Sequence, residues 1–377
     1  MHILIAPNAF KNSISAQQAA DAIQLGLANS GLKHSVECFP IGDGGDGTAA
    51  LILQKINGQQ YNAIVQDPLG RNINATYSII QEGTVGLIEM AEASGLKRLS
   101  PNEYSPLTAS SFGTGQLMLA ALNKGVKKII LTIGGSATVD GGTGILRALG
   151  ARFLNAAGVE LTILPKQLNE LAFVDTATLD SRLINCEISI LCDVTNTLIG
   201  AQGAAAVFGP QKGATEKEVE LLDSLLTHFA AISLQQTGIN LLDIIGGGAA
   251  GGVSAGLHGY LRANLVNGID YFLELTNFKT AINKANLLIT AEGSIDNQTL
   301  QGKGPIGVAK MAKALGIPVI GLAGQIPTNI SEALQFYFDM LISINKVPTS
   351  LQDALNATAA NLTLTATEIG NKLALNK

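Results

Sequence analysis

Residues 128–149, KIILTIGGSATVDGGTGILRAL, constrain the fold of this chain more than any other stretch. The apolar run through Ile133 has the length and β-branched content of a buried strand. It breaks at Gly134-Gly135, and residues 144–149 resume as a helix. Between the two lie Ser136, Thr138 and Asp140, among glycines that let the backbone turn sharply and come close to a ligand. The start of a helix offers unpaired N–H groups and a positive dipole end to an anion. A strand feeding a helix in this way points to a parallel α/β sheet with a phosphate-holding loop, here with an aspartate inside it.

The same design recurs. Residues 2–6 read as a buried strand, followed by FKNSIS and an alanine-rich helix over 16–28 with Ser15 as its N-cap. Residues 36–41 form a second strand, which enters the loop GDGGDGT and a helix at 49–56. From residue 61 the texture changes, and residues 63–65 and 75–80 flank DPLGR as an antiparallel hairpin. Residues 85–90 continue the β pattern, a helix spans 116–122, and a strand over 187–191 ends at Cys192-Asp193-Val194. Lys212 sits in GPQKG, ahead of a long helix over 216–236. Past Asp270 apolar strands return at 286–290, 318–322 and 340–344, with helices at 307–315 and 330–336. This predicts a two-domain α/β protein. Residues 1–61 and 281–377 form a discontinuous, Rossmann-like, mostly parallel domain, and residues 62–280 form an inserted α/β domain. Ligands bind at the carboxyl ends of such strands, so the site is expected in the cleft between the domains.

A chain of 377 residues has room for about two domains. Aromatics are 5% of it and tryptophan is absent, so base-stacking platforms are missing. The net charge of −5, without a basic run, argues against a nucleic-acid partner. No apolar run approaches the ~20 residues of a membrane span, and the polar residues Asn8 and Lys11 argue against a signal peptide. Cys38, Cys186 and Cys192 are an odd, widely spaced set that favours a reducing compartment. The expectation is a cytoplasmic protein with a small-molecule substrate. Its oligomeric state is left open, a homodimer included.

Several predicted strands end in a carboxylate beside small residues: Asp43 and Asp46, Asp140, Asp193, and Glu292 with Asp296. Carboxylates repel a phosphate unless a cation intervenes, so this pattern implies Mg²⁺, an ion that takes oxygen ligands. One carboxylate could also take the proton of an attacking hydroxyl, as phosphoryl transfer requires. Lys11, Lys303 and Lys212 are candidate sources of positive charge. No P-loop signature occurs. GGGAAG at 246–251 matches G-x-G-x-x-G after the apolar run 241–245, with Asp270 downstream. The four histidines are scattered and lie in none of the acidic loops.

Six blocks in order resemble the bacterial glycerate kinases of the type-1 family: APNAFKNS at 6–13, DGGDGT at 43–48, IGGSATVDGG at 133–142, CDVTNTL at 192–198, AVFGPQKGA at 206–214 and EGSIDNQT at 292–299. The resemblance runs from residue 3 to about 325. It implies two α/β domains and ATP-dependent phosphorylation of D-glycerate with Mg²⁺, giving 2-phosphoglycerate. Against the family pattern, Asn8 stands for an aspartate, Asn12 for a glycine, Asp46 for a glutamate, Val139 for an asparagine and Ala291 for a glycine. Val139 removes an amide from the central loop.

For such a reaction Asp43, Asp193 and Asp296 are expected to handle Mg²⁺ or the hydroxyl proton, with Asp193 and Asp296 as metal ligands. Lys303 is expected to face the transferring phosphoryl group. Lys11, Ser13 and the Gly134–Ser136 backbone are candidates for the substrate carboxylate. Gly135, Thr138 and Glu292 complete the binding set. Asp140, just before a helix, also suits a cap. Three alternatives stand beside this reading: an NAD(P)-dependent oxidoreductase of a small hydroxy acid built on the glycine match, the 3-phosphate as product, and a sensor that binds a small acid without turnover.

Overall fold

His2–Ile5 is buried from Ile3 onward because it lies inside a five-stranded sheet with neighbours on both edges. The strand order is Ser35–Cys38, His2–Ile5, Leu287–Ser294, Val319–Gln325, Met340–Ser343, and all pairings are parallel. Counted along the chain this is 2-1-3-4-5, a doubly wound order that reverses between His2–Ile5 and Leu287–Ser294. The computed structural model describes residues 1–375, and this sheet belongs to the first of two units, residues 1–43 with the chain from Asn267 onward.

Helix Ala16–Ala28 opens with a reciprocal cap between Ser15 and Gln18, as the sequence leads one to expect. Its Ile23 and Leu27 join Ile3, Ile5, Ile289 and Leu322 in the core. Against it packs Leu351–Leu375, a 25-residue helix that the sequence reading leaves undescribed. Six alanines and six leucines in this stretch favour a helix, offset by four threonines and three asparagines, which are weaker formers. Its buried positions, Thr358, Leu362, Thr365, Ala366, Ile369 and Gly370, still follow helical spacing. The approach is close: a Cβ on Gly26 would lie 2.2 Å from the Thr363 carbonyl oxygen.

The second unit, Gly44–Val266, holds a six-stranded sheet. Its order is Asn264–Asn267, Glu187–Cys192, Lys128–Thr132, Val85–Glu89, Asn72–Ile80, Gly58–Gln66. Lys128–Thr132 pairs in parallel with both its neighbours, and Gly58–Gln66 forms the expected hairpin with Asn72–Ile80. The Asp67 carboxylate closes that turn by accepting from the Leu69 and Arg71 N–H groups. Ile129, Leu131, Ile145, Phe153, Ile188 and Phe229 belong to its core.

The units divide at 43/44 and 266/267, whereas the sequence reading places the boundaries at 61/62 and 280/281. Tertiary contacts account for the difference. Helix Thr48–Lys55 is tied to the six-stranded sheet because Glu89 accepts from the Gly47 and Ala49 N–H groups. Helix Gly268–Leu275 packs on Gly304–Ala314, where a Cβ on Gly307 would lie 2.5 Å from Ile269.

Candidate active site

In the second unit, Gly134–Asp140 follows the carboxyl end of Lys128–Thr132. Gly135 is exposed and Gly134 half-buried, while every residue from Ser136 to Asp140 is buried. The loop therefore presents a glycine tip to solvent above a packed base. Two side chains build that base. Asp140, wholly buried, accepts from the Ser111 N–H (2.8 Å) and hydroxyl (2.7 Å) and from the Gly142 (3.1 Å) and Gly144 (3.2 Å) N–H groups. Burial pushes its carboxyl above the usual range, and these donors only partly offset it.

The second side chain is Lys212, 2% exposed on the turn Pro210–Lys212. Its ammonium donates to the Ser136 hydroxyl (2.9 Å) and the Thr138 carbonyl (2.7 Å). Burial pushes the Lys212 amine down to about 7, and the charge on Asp140 pulls it back up. Sequence reasoning placed Lys212 in a loop like those of Lys11 and Lys303, with nothing to show that it is buried. Four buried hydroxyls around the loop, on Thr132, Thr138, Thr143 and Ser254, have no hydrogen-bond partner among the described residues. Such a concentration of polar groups beneath an exposed tip marks a site rather than a core.

The glycine run at 246–256 packs against the same loop. A Cβ on Gly251 would lie 2.0 Å from the Thr138 carbonyl oxygen and one on Gly256 1.9 Å from that of Gly141. Gly251 also takes φ = +72° and accepts a hydrogen bond from the Gly141 N–H (2.9 Å). The dinucleotide reading is corrected here. Leu241–Asp243, which would have to be the strand before the glycine motif, is a 3₁₀ turn, and the glycines serve backbone-to-backbone packing.

Beside Gly134 lies the DGGDGT loop. A Cβ on Gly134 would fall 2.5 Å from the Asp46 nitrogen, and the Gly134 N–H donates to the Gly44 carbonyl (3.2 Å). Asp46 shares a hydrogen bond with Glu89, which ends the strand Val85–Glu89 and was not singled out from sequence. Burial pushes Glu89 up to about 7; the Asp46 hydrogen bond adds to that, while the Gly47 N–H and Lys97 restrain it. Asp46 is lowered, since the hydrogen bond from Glu89 and the charge of Lys97 together outweigh burial. The pair thus keeps its proton on Glu89 and its charge on Asp46. Lys97 reaches Asp46 (3.3 Å), Glu89 (3.6 Å) and Glu92 (2.7 Å). Asp193 is half-buried just past Glu187–Cys192, the strand whose Leu191 pairs with Thr132.

In the first unit the predicted residues gather at the carboxyl ends of the central strands, on both sides of the order reversal. Buried Asp43 accepts from the Asn8 side-chain amide at 2.6 Å, and the Asn8 carbonyl accepts from the Ala9 N–H. Asn8 also abuts the start of helix Gly304–Ala314, where a Cβ on Gly304 would lie 2.9 Å from its nitrogen. Lys303 is the half-buried N-cap of that helix. Asn8 therefore links Asp43 to the helix start beside Lys303, a role its sequence showed only as a departure from the family pattern. Glu292 and Asp296 follow the apolar part of Leu287–Ser294, and Asp296 accepts from the Gln298 N–H (2.8 Å). Lys11 is exposed in a turn beyond the first strand. Ser13 turns away from this group: its hydroxyl donates to the Leu355 carbonyl (2.6 Å) and lies 2.8 Å from the Thr358 hydroxyl, which anchors the last helix.

Among the described residues no three His, Cys, Asp or Glu side chains cluster as a metal cage, and no helix is long and apolar enough to cross a membrane.

The glycerate kinase family model matches residues 3–374. Glycerate kinase of Bacillus subtilis (strain 168) is 42% identical over 377 residues, covering 100% of this chain and 99% of that protein. Glycerate 2-kinase of Escherichia coli (strain K12) is 39% identical over 375 residues, covering 100% and 98%. The crystal structure of a candidate glycerate kinase 2 from Salmonella typhimurium LT2 superposes with a TM-score of 0.81 at 40% identity, covering 100% of this chain and 99% of that one.

Proposed function

Because the chain belongs to the glycerate kinase family, we infer from its loops how it phosphorylates glycerate to 2-phosphoglycerate with ATP as donor. The observation that carries the reading is the loop tip at Gly135, exposed above a base locked by Asp140 and Lys212. A glycine tip whose support cannot relax is a preorganised cradle for a small anion.

The step moves few atoms. The acceptor hydroxyl loses its proton to a carboxylate, its oxygen bonds to the γ-phosphorus, and the bond to the bridging oxygen breaks, releasing ADP. Asp43 is the candidate for the proton, and Asn8, fixed from both sides, orients it. Lys303 faces the phosphoryl group, and Lys11 balances charge on the anionic reactants. Asp140 and Ser13 are reassigned to positioning, since their polar atoms are engaged within the fold.

The donor set suits Mg²⁺, which takes oxygen ligands and is usually held by one or two carboxylates with phosphates and water. Asp193 and Asp296 are the proposed protein ligands, and the ion, when bound, supplies charge neutralisation for the triphosphate. A cytoplasmic location completes the proposal.

The test is ADP release from ATP with D-glycerate, followed by phosphorus NMR of the product. Absence of ADP release sinks the kinase reading, and a 3-phosphate signal would move the acceptor to the other hydroxyl. Chelation of divalent ions should abolish turnover, and restoration by Mg²⁺ alone identifies the ion.

A further inference from the structure

The five-stranded sheet has a cavity of ≈ 590 Å³ at its carboxyl edge. It runs from Phe10 and Lys11, after the first strand, past Gly293 and Gly324 to the segment leading into the last helix. Of the residues assigned above only Lys11 lines it. Pockets of about 300–1,000 Å³ take drug-sized ligands, far larger than a three-carbon acid.

The lining is polarised. One end is apolar: Val347 and Leu351 are 70% and 77% exposed, large hydrophobic side chains left open beside Pro348 and Leu355. Exposed apolar surface of this kind in a concave wall favours a flat, weakly polar group. Of the polar side chains nearby, Asn345 donates to the Gly324 carbonyl and accepts from Asn361, and Lys346 is paired with Glu368. At the other end Lys11 has no ion-pair partner among the described residues. Gly293 keeps the backbone open there, with the Lys11 nitrogen the nearest atom a Cβ would meet, at 4.0 Å. The Lys11 end also flanks the reversal of strand order, where doubly wound sheets bind their ligands.

We propose that this cavity is the nucleoside-triphosphate site, with the base against Val347, Pro348 and Leu351 and the phosphates toward Lys11. The assignment rests on the kinase reading and adds the location of the donor. It leaves the Gly134–Asp140 loop of the second unit to the anionic acceptor.

Two variants test it. Leu351→Asp places a charge on the apolar wall at a solvent-exposed position, and Ala354→Trp fills the cavity from the last helix. Each is measured for folding by circular dichroism, for ADP binding by calorimetry in the absence of glycerate, and for both KM values. The expected result is at least a tenfold loss of ADP affinity and a matching rise in KM for ATP, with KM for glycerate within twofold. If Ala354→Trp fails to fold, Leu351→Asp decides alone. Unchanged ADP affinity in a folded variant overturns the assignment, as does a rise confined to the KM for glycerate. Wild-type turnover tests the kinase reading separately: glycerate phosphorylation with ADP binding unmoved by the variants overturns only the cavity, whereas ADP binding that the variants weaken, without any turnover, overturns only the kinase.

Discussion

Replacing Lys212 by methionine should change how stability follows pH. The Lys212 amine has an ordinary value of 10.5 in the unfolded chain and is pushed to about 7 by burial in the fold. A base lowered on folding binds its proton more tightly in the unfolded state, so stability rises with pH between those two values. Integrating from pH 7 to pH 9 gives the wild type about 2 kcal/mol that the methionine variant lacks. For a unit of this size that is about 4–8 °C in melting temperature. Methionine also strips a donor from the Thr138 carbonyl and the Ser136 hydroxyl, each loss costing about 1–3 kcal/mol, and removes the penalty of burying the charge. At pH 7 these effects oppose each other and the two proteins should melt close together. Cys192 and Tyr260, raised by burial to about 11 and about 12, lose stability at higher pH, but they do so in both proteins and cancel in the difference. The assay is a melting curve at pH 7, 8 and 9 for wild type and variant. A gap in melting temperature that stays constant across this range refutes the reasoning, because the amine would then titrate as an exposed lysine does.

Other expectations concern the same surfaces. Glu89→Gln should flatten the acid side of the stability profile: Glu89 is raised from 4.5 to about 7, so the wild type should lose about 2 kcal/mol between pH 5 and pH 7 relative to the variant, read from melting temperatures. Gly251→Ala, at φ = +72° and with the Thr138 oxygen 2.0 Å from the new carbon, should cost more than about 3 kcal/mol in a denaturant titration. Asp193→Asn should keep the melting temperature within about 2 °C while lowering kcat by about a hundredfold or more; near-normal turnover would reassign Asp193 to a structural turn.

Much of this was legible in the sequence because parallel strands are continuous apolar runs and their loops begin at glycines. Ile3-Leu4-Ile5 and the Lys128–Thr132 run need no tertiary knowledge to be read. What escaped depends on contacts between distant segments. The Leu351–Leu375 helix intersperses alanine and leucine with threonine and asparagine, and Thr363 and Thr367 donate to the Ala22 and Gly26 carbonyls of Ala16–Ala28, a pairing the sequence does not show. The glycines at 246–256 fit a dinucleotide motif as letters, and only the 3₁₀ turn before them and the backbone atoms against them exclude it. Asn8 looked like a softened aspartate until its amide was found on Asp43.

Lys11 and Lys212 make the limit concrete. Both sit in short loops beside glycine or asparagine, and composition cannot tell them apart. One is exposed in a turn, the other is 2% exposed and hydrogen-bonded to another loop. The distinction decides their chemistry. An exposed lysine is a hydrated point charge that can follow a phosphate. A buried one near neutrality is a poor permanent counter-ion but a firm donor, since its N–H groups hold Ser136 and Thr138 in either protonation state. The Gly134-Gly135 tip can therefore stay rigid while the charge beneath it changes. An anion cradle supported in this way depends on geometry rather than on a fixed positive charge. The methionine variant, which removes the donor at every pH, should accordingly turn over more slowly than the wild type at pH 9 as well as at pH 7; a wild-type rate that falls to the variant's as the amine loses its proton would show that charge, not position, is what Lys212 supplies.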